Sequence, residues 1–328
     1  MPKTTSKTRP IAKRAAATKP ATPNRSSSKP ALTAAFSIER FTLDNGLRVV
    51  LSPDRSSPTV CIAVYYDVGF RSEPEGRTGF AHLFEHLMFE GSEDLDKMQF
   101  RDLILGNGGI LNGSTRPDYT NYFEQLPSNA LEVGLYLEAS RMRSPKIDEA
   151  SIRNQVDVVK EEIRVNVLNR PYGGVPFIHV PPVMFDTFNN AHNGYGSFDD
   201  LEKATVQDAK DFFKRYYAPG NAVLAVAGDL DVAKTRALIE KHFGDIPARK
   251  VPKRPSFAEP MLTKERRRVL PDAMAQIPML VAAYRVPDPI NALEDFAACV
   301  ILADLLAEGE ASRLYQRLVK QDRMTSHV

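Results

Sequence analysis

Cysteine is nearly absent: Cys61 and Cys299 are the only two in 328 residues, and neither forms a CxxC pair. That spacing excludes a disulfide framework and argues against cysteine-ligated zinc. Both lie in apolar runs (TVCIAVYY and FAACVILADLL), so two buried, reduced thiols are expected. No run of about 18 apolar residues occurs, and no membrane-spanning helix is expected. Acid is missing altogether from residues 1–38, which carry eight basic side chains (Lys3, Lys7, Arg9, Lys13, Arg14, Lys19, Arg25 and Lys29). The same stretch lacks the apolar region of a secretory signal. Rich in Ala, Thr, Ser, Pro and Lys, residues 1–37 read as a disordered basic tail. An organelle transit peptide is the alternative, weakened by several prolines. A cytoplasmic location is expected, with the mitochondrial matrix as the second choice.

What remains is ordinary for a globular protein: 43% hydrophobic and 9% aromatic residues, enough for a sizeable core. The net charge of +2 hides an asymmetry. Of 43 basic residues the tail takes eight, leaving 35 against 41 acids. A mildly acidic body argues against nucleic acid as a partner.

Regular structure is expected from Ile38. Ile38–Pro53 alternates around Asp44-Asn45-Gly46 and reads as a hairpin. Pro58–Val68 reads as a central strand, and Ile110–Thr115 and Tyr119–Leu126 as two further strands. Helices are expected at Gly79–Phe89, Met98–Leu105, Asn129–Met142, Asp148–Val167, Val206–Tyr216 and Val232–His242, with a buried strand at Ala222–Ala227. Residues 38–246 thus form one α+β domain. Residues 247–265, rich in Pro, Lys and Arg, read as a linker. A strand at Met279–Val286 and an apolar helix at Ala292–Leu306 then echo the earlier strand and helix. The expected fold class is α+β: two related halves, each a mostly antiparallel sheet packed by helices. The second half (266–328) is truncated at Val328.

The chemistry sits in His82-Leu83-Phe84-Glu85-His86. On a helix, positions i and i+4 lie on one face, so both imidazoles can reach one ion. Glu85 borders that face and can act on a water without ligating the metal. This is HxxEH, the reverse of HExxH. The bland alternative is two surface histidines, but Phe84, Leu87 and Phe89 bury this helix, and buried histidines need partners. A catalytic zinc needs a third ligand and an open fourth position. The helix at 148–167 offers Glu161 and Glu162, and composition does not choose between them.

HLFEHLMFEGS, NGGILNGSTRPDYTNYFEQLP and NQVDVVKEEIR…NRPYG together resemble the pitrilysin/insulinase family of inverted-motif zinc peptidases. The likeness runs from about residue 38 to 328 and is nearest to small bacterial members and the catalytic subunit of the mitochondrial processing peptidase. In that family the third ligand follows the second histidine by about 76 residues, in a helix reading Gln-x-x-Val-Val-x-x-Glu. The resemblance therefore implies Zn2+ on His82, His86 and Glu162, with Glu85 as general base. It implies a zinc endopeptidase whose peptide substrate adds as a strand along Ile110–Thr115, with Leu111, Asn112, Gly113 and Ser114 as the binding residues. Small side chains at 113 and 114 would let a peptide backbone approach. Tyr119, Asn121 and Tyr122 are expected in the core or behind the site.

Two departures matter. Family members that complete the site from their own chain carry an Arg, and a Tyr seven residues later, in the second half. Here those positions are Val319 and Ser326. A homologous non-zinc subunit supplying Arg and Tyr is therefore expected as a heterodimer partner. Such subunits also usually run longer. A non-catalytic scaffold, or a peptide-binding subunit of the same family, is the alternative reading. His179, His192 and His242 lack ligand spacing and are expected to be structural or on the surface.

Overall fold

The structure is a computed structural model that describes residues 37–328; the expected basic tail lies outside the described residues. Six strands form one sheet: β1 (Glu39–Thr42), β2 (Arg48–Pro53), β3 (Thr59–Tyr66), β4 (Ile110–Thr115), β5 (Thr120–Pro127) and β6 (Ala222–Gly228). Their order is β1-β2-β6-β3-β5-β4, antiparallel except for the β2–β6 pair. Among the described residues ten α-helices accompany it: α1 (Phe80–Leu87), α2 (Gln99–Gly106), α3 (Leu131–Arg143), α4 (Glu149–Ile163), α5 (Pro181–Met184), α6 (Phe188–Ala191), α7 (Phe198–Glu202), α8 (Val206–Tyr216), α9 (Val232–Phe243) and α10 (Leu293–Ala307). The fold is α+β, a mostly antiparallel sheet packed by helices. No helix among the described residues is long and apolar enough to cross a membrane.

Period-two burial makes the core. On β3, Val60, Ile62, Val64 and Tyr66 are buried, while Cys61, Ala63 and Tyr65 alternate onto the open face. The helices cover the buried face. Gly134 of α3 lets that helix approach closely, because a Cβ there would meet Ile62 Cδ1 at 2.4 Å. Each fully buried Leu or Ile in this layer contributes roughly 1.5–3 kcal/mol. The same alternation corrects one expectation: Cys61 is free but only half-buried, as is Cys299 on α10.

The expected strand at Met279–Val286 does not form. Leu280 and Tyr284 are 94% and 84% exposed, and no strand among the described residues pairs with this segment. A strand needs a neighbour to satisfy its backbone, and propensity alone cannot supply one. The helix that follows it does form as α10, with Leu293, Ile301, Leu302 and Leu305 exposed. The expected linker has no helix or strand, yet it is fastened to the body. The Arg71 guanidinium lies 4.1 Å from the Phe257 ring, and Glu259 accepts from the backbone of Asp186 and Thr187.

Candidate metal and active site

Helix α1 runs from Phe80 to Leu87 and buries Phe80, Leu83, Phe84 and Leu87. That apolar face leaves His82 and His86 on an adjacent stripe, Nε2 to Nε2 at 3.3 Å. Helix α4 packs against α1, and its own start is fixed by a capping box between Asp148 and Ser151. From α4, Glu162 Oε2 reaches His86 Nε2 at 3.2 Å and His82 Nε2 at 3.7 Å. Glu161 turns away, to Arg164 at 3.2 Å.

The donor set fits a zinc ion. At metal–ligand distances of about 2.0–2.1 Å, the edges of a tetrahedron are roughly 3.3–3.4 Å. The three observed separations scatter about that edge. Among the described residues this is the group of His, Cys, Asp and Glu able to hold a metal. Protonation states agree with the geometry. Burial, and then the neighbouring His86, push His82 down to about 4, against the opposing pull of Glu162. A neutral imidazole is the ligating form. The His86 hydrogen bond holds the Glu162 carboxyl below its ordinary value.

Glu85, also on α1, reaches Thr115 on the sheet edge. Burial raises its proton affinity, and the hydrogen bond from Thr115 Oγ1 to Oε2 at 2.8 Å works against that rise. Strand β4 is an edge strand, paired on one side to β5. Alternation separates its expected binding residues. Leu111 and Gly113 share a face with Thr115, and Asn112 and Ser114 take the other.

Gly113 lies directly against helix α1. Its missing side chain makes room for the proposed base: a Cβ there would lie 3.1 Å from Glu85 Cγ and 3.3 Å from Phe89 Cε2. Ser114 Oγ donates to Asn121 Oδ1 at 2.6 Å, and Asn112 Oδ1 accepts from the Gly113 amide. The outer backbone edge of β4 pairs with no other strand among the described residues. Asn121 and Tyr122 are buried as expected, and Tyr122 Oη reaches the Phe84 carbonyl at 3.4 Å beneath α1. Tyr119 is exposed and pairs with Tyr65.

The structure brings His82, His86, Glu162 and Glu85 together with β4. It does not bring in the other internal histidines. His242 lies 3.2 Å from Glu132, and His192 lies 3.3 Å from Glu73. Val319 falls in a π-helical turn, Tyr315–Gln321, and Ser326 is exposed. Two residues escaped the sequence reading. Thr115 was findable, since it shares the period-two face of Gly113. Glu73 left a fainter trace: α1 has no Ser, Thr, Asp or Asn directly at its start to cap it, and an acid precedes it.

Residues 48–172 match the family described as insulinase (peptidase family M16), and residues 203–326 match the peptidase M16 inactive domain. Zinc protease PqqE of Helicobacter pylori is 32% identical over 301 residues, covering 88% of this chain and 65% of that protein. Cytochrome b-c1 complex subunit 1, mitochondrial, of Bos taurus is 28% identical over 204 residues, 62% of this chain and 42% of that one. This chain therefore spans less than two thirds of the length of either relative. The crystal structure of a protease from Helicobacter pylori superposes with a TM-score of 0.79 at 30% identity, covering 89% of this chain and 70% of that one.

Proposed function

The chain belongs to the insulinase family (peptidase family M16), and on that premise we propose that it is a zinc metalloendopeptidase. His82, His86 and Glu162 hold the metal and Glu85 is the general base. The observation that carries this reading is the convergence of two imidazoles and one carboxylate within 4.8 Å, with a half-buried second carboxylate on the same helix as the imidazoles. Zinc in such a set, with its fourth position open, acidifies a water and polarises a carbonyl. Glu85 takes the proton of the attacking water and hands it to the leaving amine nitrogen. Thr115 holds the Glu85 carboxylate at the sheet edge while it does so. The free edge of β4 receives the substrate as an added strand, so main-chain hydrogen bonds orient the scissile peptide.

Val319 and Ser326 supply neither a cation nor a phenol. On this reading a homologous non-zinc subunit brings the Arg and Tyr that steady the substrate carbonyl and the oxyanion. The scaffold reading draws on two facts: residues 203–326 match an inactive domain, and one relative is a subunit of the cytochrome b-c1 complex.

Metal analysis and cleavage of a quenched peptide separate the two, with and without a co-expressed homologous partner. One zinc per native chain is expected, lost in His82→Ala. Glu85→Gln keeps the zinc and loses turnover by on the order of 10²–10⁴. A native chain that takes up no zinc ends the peptidase reading. Zinc uptake without cleavage in any pairing favours the scaffold.

A further inference from the structure

We propose that Glu73 is a positioning residue for the metal helix: its carboxylate replaces the side-chain cap that α1 lacks, and a His192 imidazolium holds it there. This rests on the metallopeptidase reading above.

Helix α1 is preceded by Gly79 at its N-cap position, which is left-handed (φ 86°) and makes no side-chain cap. No larger residue fits there. A Cβ on Gly79 would lie 2.7 Å from the Tyr195 carbonyl oxygen and 3.1 Å from Gly196 Cα. The usual capping residues are therefore excluded at this position. Glu73 takes over from six residues upstream. Its Oε2 accepts from the Gly79 amide at 2.9 Å and its Oε1 from the Ala81 amide at 2.7 Å. A full negative charge at a helix N-terminus is also favoured by the helix dipole.

The Glu73 side chain is fully buried, so its charge needs a partner. His192 supplies it. Nδ1 faces the Phe188 carbonyl at 2.8 Å, and Nε2 faces the Phe70 carbonyl at 2.8 Å and Glu73 Oε2 at 3.3 Å. The two backbone carbonyls can only accept. Both ring nitrogens must therefore carry protons, which makes the ring cationic.

His82 depends on this cap more than His86 does. It is the third residue of an eight-residue helix, too short to hold its own ends firmly. Its Nδ1 is buried and finds no hydrogen-bond partner among the described residues. A metal-binding histidine is usually oriented through that second nitrogen. Here the backbone of the first turn must orient it instead, and Glu73 fixes that turn.

The test uses the purified chain as it stands, with the variants Glu73→Gln and His192→Gln. The comparison variant is Leu224→Ala, a buried residue of β6 outside this site. Zinc affinity is read by competition with a chromophoric chelator, and exchange of the Gly79 and Ala81 amides on the metal-free chain. Glu73→Gln is expected to weaken zinc on the order of tenfold and to speed exchange at both amides. His192→Gln should do the same more mildly, whereas Leu224→Ala loses stability with native zinc affinity. Native affinity and native amide protection in Glu73→Gln overturn the proposal. So does an equal loss of zinc affinity in Leu224→Ala. A native chain that takes up no zinc overturns the peptidase reading and this role with it. A native chain that binds zinc, beside an unaffected Glu73→Gln, overturns this role alone.

Discussion

Thr115 Oγ1 donates to Glu85 Oε2 at 2.8 Å, a bond that joins edge strand β4 to helix α1. It ties the proposed base to the strand that would carry the substrate. A base acts in its ionised form, above its pKa. Burial raises that pKa, and the Thr115 bond lowers it. Thr115→Val keeps the shape and removes the donor, so the pKa of Glu85 rises further. The acid limb of the kcat/KM profile should then move to higher pH. A hydrogen bond to a charged group is worth about 1.5–3 kcal/mol, so kcat near neutrality should fall roughly tenfold or more. An unmoved limb in a pH–rate measurement would remove Thr115 from the machinery.

Gly113→Ala places a methyl group 3.1 Å from Glu85 Cγ and 3.4 Å from Glu85 Oε1. These contacts are tight without being prohibitive, and the Glu85 side chain is what must give. Activity should fall by an order of magnitude or more while thermal unfolding shifts by only about 1 kcal/mol or less. Steady-state kinetics and a melting curve on the same preparation check it. A large stability loss with intact kcat would mean that the backbone moves instead.

Arg141 is buried between two buried acids, 3.2 Å from Glu124 and 3.1 Å from Glu138. Its guanidinium also lies 3.9 Å from the Phe100 ring and 4.6 Å from the Tyr122 ring. Burial, and then the neighbouring Glu138, push the Glu124 carboxyl well up, which favours its protonated form. Arg141→Leu leaves the acids without their cation and should cost about 3–5 kcal/mol in urea unfolding. Glu124→Gln imitates the protonated acid and should cost far less. Equal losses in the two variants would argue against a protonated Glu124.

Glu259 fastens the 247–265 segment by accepting from the Asp186 amide at 2.9 Å, the Thr187 amide at 3.0 Å and Asn190 Nδ2 at 2.8 Å. Burial opposes its charge, but these donors and the Thr187 hydroxyl outweigh it and hold the carboxyl at about 2. A depressed carboxylate adds stability that is complete above the ordinary value of 4.5 and fades as pH falls toward the folded-state value. Glu259→Gln should thus be less stable by about 1–3 kcal/mol at pH 7. The gap should narrow steadily below about pH 4.5. Urea titrations across that range decide it, and a gap that stays constant would contradict the linkage.

Much of the fold was legible in the chain because its signals are local. The Asn45-Gly46 turn, the alternation of β3 and the apolar face of α1 each lie within one element, and each element formed. The segment at 279–286 reads equally well as a strand and did not form, since strand pairing is settled by a distant neighbour rather than by the residues themselves. Cys61 sat in an apolar run but took the open face, because a run of β-branched residues does not say which parity points inward.

The candidate site divides along the same line. By itself the sequence determined that His82 and His86 share a helix face with Glu85 beside them, because a helical period of 3.6 residues leaves no other arrangement. Tertiary structure alone turned Glu162 inward and Glu161 out to Arg164, and set Thr115 and Gly113 against Glu85. It also closed Glu73 over the start of α1 with His192 behind it. Those pairings join residues far apart in the chain, and only the packing of α1 against α4, β4 and the loop after α6 brings them within hydrogen-bond reach.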